Sequence, residues 1–415
     1  MKTGLVNWQL QWLRRSKPLR AHGSPLPRQG EGEGEINESV VPLRGNLRSM
    51  NTQAEEPRMK EYIALDSHRR YSLLEREEAR TGRTMQLRIE HVRGAVWARL
   101  RRCQPGSAVA LEATGHWYWI VGEIEAAGLR PLLVHPRKAK LMMGLINKTD
   151  KLDVHGLNRL QRNGTLPTVW IPPKELRDLR ELTRTRLVLV RSRTRLKNRL
   201  NATLAKYGLA IEASDPFGVL ARGQWEENLK LFPEQTRFVS GQLLEQLDFI
   251  QGQIEAEEKR LLQLLKITPS MQLLQSLPGV GLILAATIAL EIGEVSRFPS
   301  HEHLASYAGT TPRVKASGDK VRYGRLRPDV NHYLKWAYVE AANVIARHQN
   351  HWKERHVVQL YRRLKQRKDH AKAIGAVARH LAEASFWVLS RAETYRDPAL
   401  KSTLPKGGGP GSTSV

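Results

Sequence analysis

The stretch YIALDSHRRYSLL, residues 62–74, holds two apolar runs of strand length, and the first run ends at Asp66. Short apolar runs bounded by polar residues predict buried strands. We therefore expect strands at 62–65 and 71–74, with a third at 84–89. An acid at the end of a buried strand lies at the edge of a sheet, where side chains from neighbouring strands can meet.

Strand-like and helix-like patterns then alternate as far as Pro167, which is typical of a mixed α/β layer. The run SAVAL at 107–111 is a buried-strand pattern that ends at Glu112. In chain order, the other predicted elements are a helix over 89–102, a helix over 116–127 with Gly128 as its C-cap, a strand at 130–134 and a helix that begins at Thr149.

Four acids lie at the ends of these predicted elements. Asp66 and Glu112 end strands, whereas Asp150 and Asp153 share one face of a helix start because they are three residues apart. Phosphoryl transfer by two metal ions needs several carboxylates around ions about 3.5–4 Å apart, and Mg²⁺ suits such a site. The set predicts a magnesium site, with Mn²⁺ as a second candidate. Taken singly, the same acids are ordinary turn, helix-start and surface residues.

Helical patterns dominate the rest of the chain. Leucine stripes predict a long basic helix over 172–207 and a second helix over 236–265, and two such helices suggest an antiparallel coiled-coil arm. An ordinary helical core explains the same stripes equally well. A mostly helical domain is predicted over about 274–392. The arginine-rich part of the first helix, 177–199, suits the backbone of either RNA or DNA.

The sequence LPGVG at 277–281 lies between two apolar helical runs, so its Pro and Gly residues predict a tight turn. Backbone N–H groups at the start of the second helix can bind a phosphate, as in a helix-hairpin-helix. Gly279 and Gly281 are therefore candidate DNA contacts, although a plain helical hairpin uses the same residues.

Residues 306–327 (SYAGTTPRVKASGDKVRYGRLR) are basic and poor in apolar residues, so we expect an exposed loop. Ser317 precedes Gly318 in this segment and, from the pattern alone, is a turn residue. Four basic residues near it can hold a DNA phosphate: Lys315, Lys320, Arg322 and Arg325. A solvated basic loop that contacts the DNA backbone explains the same residues.

Composition limits the class of partner. The chain has 415 residues, with 67 Lys and Arg against 41 Asp and Glu, and a formal charge of +26. This excess favours a polyanion because neutralising phosphates releases condensed counterions, although a ribosome or an acidic membrane surface fits the same balance. Cys103 is the only cysteine, which excludes an internal disulfide and a cysteine-rich zinc site. No apolar run reaches the ~18 residues of a membrane span, so we expect a cytoplasmic, nucleoid-associated protein.

The motifs LEATG at 111–115 and KTDKLDV at 148–154, with YIALDSH at 62–68, resemble the signatures of DEDD transposases of insertion-sequence family 110. The resemblance covers roughly 62–344. It implies a RuvC-like, ribonuclease-H-type domain whose metal ligands are Asp66, Glu112, Asp150 and Asp153. The first motif departs from the family, with ALDSH where GID is usual, and His68 is interpreted as an exposed strand histidine rather than a ligand.

The segment around Ser317 resembles the second block of this family, in which a Ser before Gly leads into G-R-I and then N-x-x-L. Here these motifs are GRL at 324–326 and NHYL at 331–334, and the intervening RPDV departs from the usual filler. The resemblance implies that Ser317 is a nucleophile that forms a covalent link to DNA. It also implies a homo-oligomer that acts on element ends and target DNA with a non-coding guide RNA.

The expected architecture is α/β plus α. In chain order we predict a disordered extension at 1–58, a RuvC-like catalytic domain at 59–167, a helical coiled-coil arm at 168–268, a helix-hairpin-helix domain with the serine at 269–395 and a disordered tail at 396–415. Two other functions fit the residues. A junction-resolving nuclease of the same fold acts without Ser317, and a non-enzymatic nucleic-acid scaffold needs none of the four acids. An inactive remnant of a transposase is a third alternative.

Overall fold

The computed structural model describes residues 61–144, 149–264, 268–318, 320–327 and 329–398. Contacts between residues divide the chain into two compact units, the first ending at Ile171 and the second beginning at Pro172. The predicted disordered extension at 1–58 and all but the first three residues of the predicted tail at 396–415 lie outside the described residues. In the part that is described, no helix is both long enough and apolar enough to cross a bilayer.

The first unit is built on a five-stranded mixed sheet in the order β3-β2-β1-β4-β5. Its strands are β1 (Glu61–Ser67), β2 (Tyr71–Glu78), β3 (Thr84–Glu90), β4 (Ala108–Glu112) and β5 (Arg130–Val134). The first three strands are antiparallel neighbours, and β4 and β5 continue the sheet parallel to β1. The five predicted strands are confirmed, and this order accords with the ribonuclease-H-type fold that the resemblance implies.

Two helices cover one face of the sheet. They are α1 (Ala95–Leu100) and α2 (Trp117–Ala126). Alternate residues of β1 and β4, such as Ile63 and Val109, form a buried cluster with Ile120 and Ile124 of α2. The helix predicted over 89–102 is wrong in extent, because β3 continues to Glu90 and the turn at Gly94, with φ of 87°, precedes the helix start.

Two further helices cover the other face, α3 (Pro136–Met143) and α4 (Asp150–Arg162). Val154 and Leu157 of α4 pack against Ala64 and Ala110, the strand residues that point away from α2. The buried carboxylate of Glu75 on β2 accepts hydrogen bonds from Asn158 of α4 at 3.1 Å and from Gln86 of β3 at 2.7 Å. Because a buried charge needs such partners, this contact holds α4 at a defined position across β2.

The second unit begins with two long helices, α5 (Lys174–Lys206) and α7 (Glu234–Leu264), with α6 (Arg222–Leu231) between them. The side chains of Arg186 and Glu258 pair near one end, and those of Tyr207 and Thr236 pair at the other. The two long helices are therefore antiparallel, as predicted, whereas coiled-coil packing itself stays a prediction. The sequence did not predict α6, whose Trp225 is buried between the long helices.

The rest of the second unit is a helical domain with one hairpin. Its helices are α8 (Pro269–Gln275), α9 (Leu282–Ile292), α10 (His301–Tyr307), α11 (His332–Arg347), α12 (His356–Arg367) and α13 (His370–Arg391). Leu176, Leu179 and Leu182 of α5 pack against α9 in one apolar cluster. The long helices and the C-terminal helices therefore share a single compact unit.

The exposed loop predicted over 306–327 is wrong in part. Two antiparallel strands, β6 (Pro312–Ser317) and β7 (Lys320–Leu326), form a hairpin there. Val314 and Val321 favour extended backbone, and Gly318 supplies the turn with φ of 56°. The expectation of exposure is confirmed for the hairpin, since Ser317 and nearly the whole of β7 are exposed, whereas residues 308–310 before it are buried.

Candidate active site

Two acids lie side by side at one edge of the central sheet. The parallel register of β1 and β4 pairs Leu65 with Leu111. Asp66 comes directly after Leu65 and Glu112 directly after Leu111, so the two acids lie at the carboxyl ends of adjacent strands. Asp66 is 7% exposed and Glu112 is half-buried. The ends of β1 and β4 therefore place these two acids on neighbouring strands at one edge of the sheet.

The other two acids lie in the first turn of α4. The Oγ1 of Thr149 accepts the N–H of Leu152 at 3.3 Å and caps the helix, which places Asp150 and Asp153 at its N-terminus. Both acids are half-buried. The packing of α4 across β1 and β2 brings the Asp150 carboxylate to the end of β1, where Asp66 lies.

His68 lies between Asp66 and Asp150. Its Nε2 is 3.1 Å from Oδ2 of Asp66 and 3.2 Å from Oδ2 of Asp150. The interpretation of His68 as an exposed strand histidine is wrong, because the residue lies in the turn after β1 with its Nε2 atom buried. Its spacing of two from Asp66 was the available signal, since residues i and i+2 of an extended segment project to the same side.

Tyr71 is a second residue of the site that sequence analysis passed over. Its hydroxyl donates a 2.7 Å hydrogen bond to Oδ2 of Asp150, and the guanidinium of Arg88 stacks 3.7 Å from its ring centre. The hydrogen bond to the Asp150 carboxylate raises the pKa of Tyr71 above its usual value. The phenol therefore stays protonated and holds the carboxylate of Asp150 in position.

Burial and nearby acids work against ionisation of Asp66. Burial is the largest cause that raises its pKa, His68 lowers the pKa, and the charges of Asp153 and Asp150 raise it further. A cation at this point would relieve the repulsion among these carboxylates. The site is thus electrostatically arranged for a positive ion.

The residues present fit a divalent cation. Ligand atoms of Asp66, His68 and Asp150 all lie within 4.8 Å of one another. Two of these atoms, Oδ2 of Asp66 and Nε2 of His68, are buried and make no hydrogen bond to any described residue. Carboxylate oxygen and imidazole nitrogen are common ligands of divalent metals. Within the described part of the chain, the carboxylates of Glu112 and Asp153 are not members of this three-residue cluster.

The serine hairpin of the second unit, 312–326, has two unlike faces. Directly opposed residues of an antiparallel pair share a face, and the register pairs Val314 with Tyr323 and Ala316 with Val321 on one of them. The opposite face carries Ser317 and Lys320, which pair with each other at the tip. The structure therefore presents Ser317 on the polar face of an exposed hairpin.

The four predicted cations of this segment belong to the hairpin strands. Lys315 is opposite Arg322 in the register, next to the pair formed by Ser317 and Lys320. Arg325 lies closer to the base of the hairpin. Lys320 and Arg322 are exposed beside the serine, so this face can contact an anion.

The LPGVG segment forms the turn between α8 and α9. Gly279 has φ of 76°, and a Cβ built on it would lie 2.5 Å from the carbonyl oxygen of Ala341 on α11. Gly281 is exposed at the N-cap of α9 with φ of −84°. The requirement for Gly279 thus comes from packing, whereas only Gly281 presents backbone outward, where a phosphate can reach it.

The arginine-rich face of α5 is partly internal. The guanidinium of Arg184 forms two hydrogen bonds, of 2.7 and 3.0 Å, to the carboxylate of Glu291 on α9. Arg180 is buried and donates to the carbonyl oxygens of Leu290 and Glu291. Exposed arginines follow one face farther along the helix, at positions Arg191, Arg195 and Arg199.

Two family models match the chain. Residues 77–208 match a model for DEDD transposases of IS110 type, described as a transposase. Residues 271–357 match a model described as transposase of the IS116/IS110/IS902 family. The first range contains Glu112, Asp150 and Asp153 and begins after Asp66, whereas the second contains Ser317.

Among the similar proteins with curated names are two transposases and a pilin gene-inverting protein. The transposase for insertion sequence element IS1111A of Coxiella burnetii is 27% identical over 311 residues, which are 72% of this chain and 84% of that protein. A probable family 20 transposase of Pseudomonas aeruginosa is 24% identical over 59% of this chain and 72% of its own length. The pilin gene-inverting protein of Moraxella bovis is 26% identical over 50% and 57%. This chain therefore belongs to the IS110 family of DEDD transposases.

Proposed function

We propose that this chain cuts and rejoins DNA at the ends of an insertion sequence and at its target, using an acidic metal site and a covalent serine–DNA link. One observation carries the proposal. Asp66 and Asp150, which are far apart in the chain, meet within 4.8 Å around His68 at the edge of the sheet. Membership of the transposase family indicates that the substrate is DNA.

The acidic residues hold the metal in this proposal. Asp66 and Asp150 bind Mg²⁺, or Mn²⁺ in its place, and Glu112 and Asp153 complete the set of carboxylates from positions next to them. A bound divalent ion supplies charge neutralisation at the scissile phosphate and lowers the pKa of an attacking hydroxyl. Tyr71 keeps the carboxylate of Asp150 oriented through its 2.7 Å hydrogen bond, and α4 directs its positive N-terminal dipole toward the same anionic site.

Ser317 provides the nucleophile. Its Oγ attacks a DNA phosphorus, so that a new serine–phosphate ester forms, one strand P–O bond breaks and the strand end leaves as a hydroxyl. The serine proton passes to a base, because a neutral hydroxyl is a weak nucleophile, and is then returned to the leaving strand oxygen, which departs as the hydroxyl. Lys320 and Arg322 stabilise the charge on the phosphate from the same hairpin. Attack on the ester by a different strand end reverses the step and rejoins DNA with no external energy source.

Binding of nucleic acid follows from charge and exposed backbone. The net charge of +26 favours phosphate contacts, and Gly281, Arg191, Arg195 and Arg199 are exposed candidates for them. We further propose that the chain forms a homo-oligomer in which cutting and rejoining of DNA take place together. A non-coding guide RNA selects the DNA. Co-purification followed by RNA sequencing tests the guide, and one discrete RNA is the expected result.

A strand-exchange assay with three variants separates this function from its rivals. The substrate is a plasmid carrying element ends and target with Mg²⁺ and co-purified RNA, and covalent protein–DNA adducts are detected on denaturing gels. Ser317→Ala is expected to lose adduct and exchange but keep metal binding, and Asp150→Asn is expected to lose metal binding and exchange. Ser270→Ala, at another exposed serine of the same unit, is the matched control.

The rivals predict different outcomes. A junction-resolving nuclease retains cleavage in Ser317→Ala and forms no adduct in any variant. A non-enzymatic scaffold shows no activity in the parent chain and unchanged DNA binding in Asp150→Asn. Full exchange by Ser317→Ala overturns the serine mechanism.

A further inference from the structure

We propose that His68 is a nitrogen ligand of the metal held by Asp66 and Asp150, and that the resulting mixed nitrogen–oxygen site prefers Mn²⁺ to Mg²⁺. The inference rests on the proposed function, since it assigns a further ligand to that site. It departs from the four-carboxylate pattern that the family resemblance implies for this chain.

The position of His68 is that of a ligand rather than of a hydrogen-bond donor. Its Nε2 is 3.1 and 3.2 Å from two carboxylate oxygens, but its orientation meets the angular requirement of a hydrogen bond to neither oxygen, nor does it bond to any other described residue. In a ring that pairs with a single carboxylate, the N–H bond would point at one oxygen of that carboxylate. Nearly equal distances to both oxygens instead indicate that all three atoms face a common point.

The distances match the spacing of metal ligands. In octahedral coordination with bonds of about 2.1 Å, neighbouring ligand atoms are separated by about 3.0 Å. The separations of 3.1 and 3.2 Å between His68 Nε2 and the two oxygens are close to that value.

Burial supports the same conclusion. Asp66 is 7% exposed, and its Oδ2 has no hydrogen-bond partner in the described residues. A buried carboxylate oxygen without a partner costs free energy unless a cation or donor occupies its free side. The ring of His68 packs 4.7 Å from the ring of Tyr71, which limits its rotation and keeps Nε2 directed at the acids.

The metal preference follows from ligand chemistry. Carboxylates and water suit Mg²⁺ and Mn²⁺ alike, whereas an imidazole favours transition metals over Mg²⁺. Replacing one oxygen ligand by the nitrogen of His68 therefore shifts selectivity toward Mn²⁺. The two carboxylates keep the site hard enough to bind Mg²⁺ when that ion is abundant.

Pulsed electron paramagnetic resonance on the full-length protein loaded with Mn²⁺ tests the assignment directly. The expected result is electron spin-echo modulation from a directly bound imidazole nitrogen, lost in His68→Gln and kept in His155→Gln. His155 is the matched control because it lies in the same unit and its Nδ1 pairs with Glu75 instead, at 3.0 Å. Mn²⁺ affinity in His68→Gln is expected to fall about tenfold or more. The concentration of Mg²⁺ needed to displace Mn²⁺ should therefore also be lower in this variant.

Labelling the parent protein with ¹⁵N-histidine provides a measurement that needs no variant, so a folding defect in His68→Gln cannot obscure the result. Mn²⁺ that binds without histidine nitrogen modulation, or with modulation that persists in folded His68→Gln, overturns the assignment of His68 and leaves the carboxylate site intact. Absence of Mn²⁺ binding by the parent protein overturns the proposed metal site as a whole.

Discussion

The side-chain amide of Asn331 donates a 2.8 Å hydrogen bond to Oε2 of Glu291, a carboxylate with no exposed surface. The Oδ1 of Asn331 accepts the backbone N–H groups of Tyr333 and Leu334 and so caps α11. Glu291 also binds Arg184 of α5. One buried charge therefore joins α5, α9 and α11 at the point where the serine hairpin returns to the helical domain.

Removal of the Glu291 carboxylate should strongly destabilise the second unit. Glu291→Ala leaves the guanidinium groups of Arg180 and Arg184 without their buried counter-charge, at an expected cost of about 3–5 kcal/mol in the free energy of unfolding. Urea denaturation of the full-length protein measures the change. Glu294→Ala removes an exposed acid three residues away and should stay within about 0.5 kcal/mol of the parent. Equal effects of the two substitutions would contradict the pairing.

The turn between α8 and α9 should tolerate a methyl group at one glycine and not at the other. Gly279→Ala combines a left-handed backbone with a contact of 2.5 Å to the Ala341 carbonyl oxygen, and we expect a loss of about 2–5 kcal/mol. Gly281→Ala has an ordinary φ and open space, so its cost should be below about 1 kcal/mol. Thermal unfolding of both variants checks the difference, and a stable Gly279→Ala protein would refute the packing.

The hydroxyl of Tyr71 should matter for activity more than for stability. Tyr71→Phe removes the hydrogen bond to Asp150, which we expect to change the free energy of unfolding by about 0.5–1.5 kcal/mol. Metal-dependent DNA cleavage should fall about tenfold or more because the carboxylate is no longer oriented. Tyr62→Phe, in the neighbouring strand β1, should leave both quantities unchanged. Parent-level cleavage by Tyr71→Phe would show that the hydrogen bond has no role in the reaction.

The acid at position 66 should lower the stability of the metal-free protein near neutral pH. Burial raises the pKa of Asp66 above its ordinary value of 3.8, so the folded state binds the proton more tightly than the unfolded state does. Stability from this group is therefore lost as the pH rises from 3.8 through the raised folded pKa. Asp66→Asn carries no such penalty and should be more stable than the parent at pH 7 in EDTA, by about 0.5–2 kcal/mol.

Two further measurements complete the test of Asp66. The stability difference between Asp66→Asn and the parent should shrink as the pH falls through 3.8 and vanish well below it, where both folded and unfolded acids are protonated. Added Mg²⁺ should stabilise the parent and leave Asp66→Asn unaffected, because binding to the folded state alone adds stability. An Asp66→Asn protein that is less stable than the parent at pH 7 would show that attraction to His68 outweighs burial.

Local patterns were sufficient for most of the first unit. Apolar runs predicted its five strands, and strand ends together with a helix start at Thr149 predicted where Asp66, Glu112, Asp150 and Asp153 lie in the elements. These features depend on neighbours in the chain, which is why periodicity and caps reveal them. The hairpin at 312–326 was missed because its exposed valines and tyrosine are too few to produce a buried-strand pattern.

The chain order of residues determines the strands, helices and caps of this transposase, and its composition determines the charge that suits DNA. The placement of His68 between Asp66 and Asp150, the pairing of Arg184 with Glu291 and the requirement for glycine at 279 depended on the assembled fold. The physical reason is that each of these contacts joins elements distant in sequence. Their distances and desolvation exist only after α4 packs on β1, α5 packs on α9 and α11 packs under the turn.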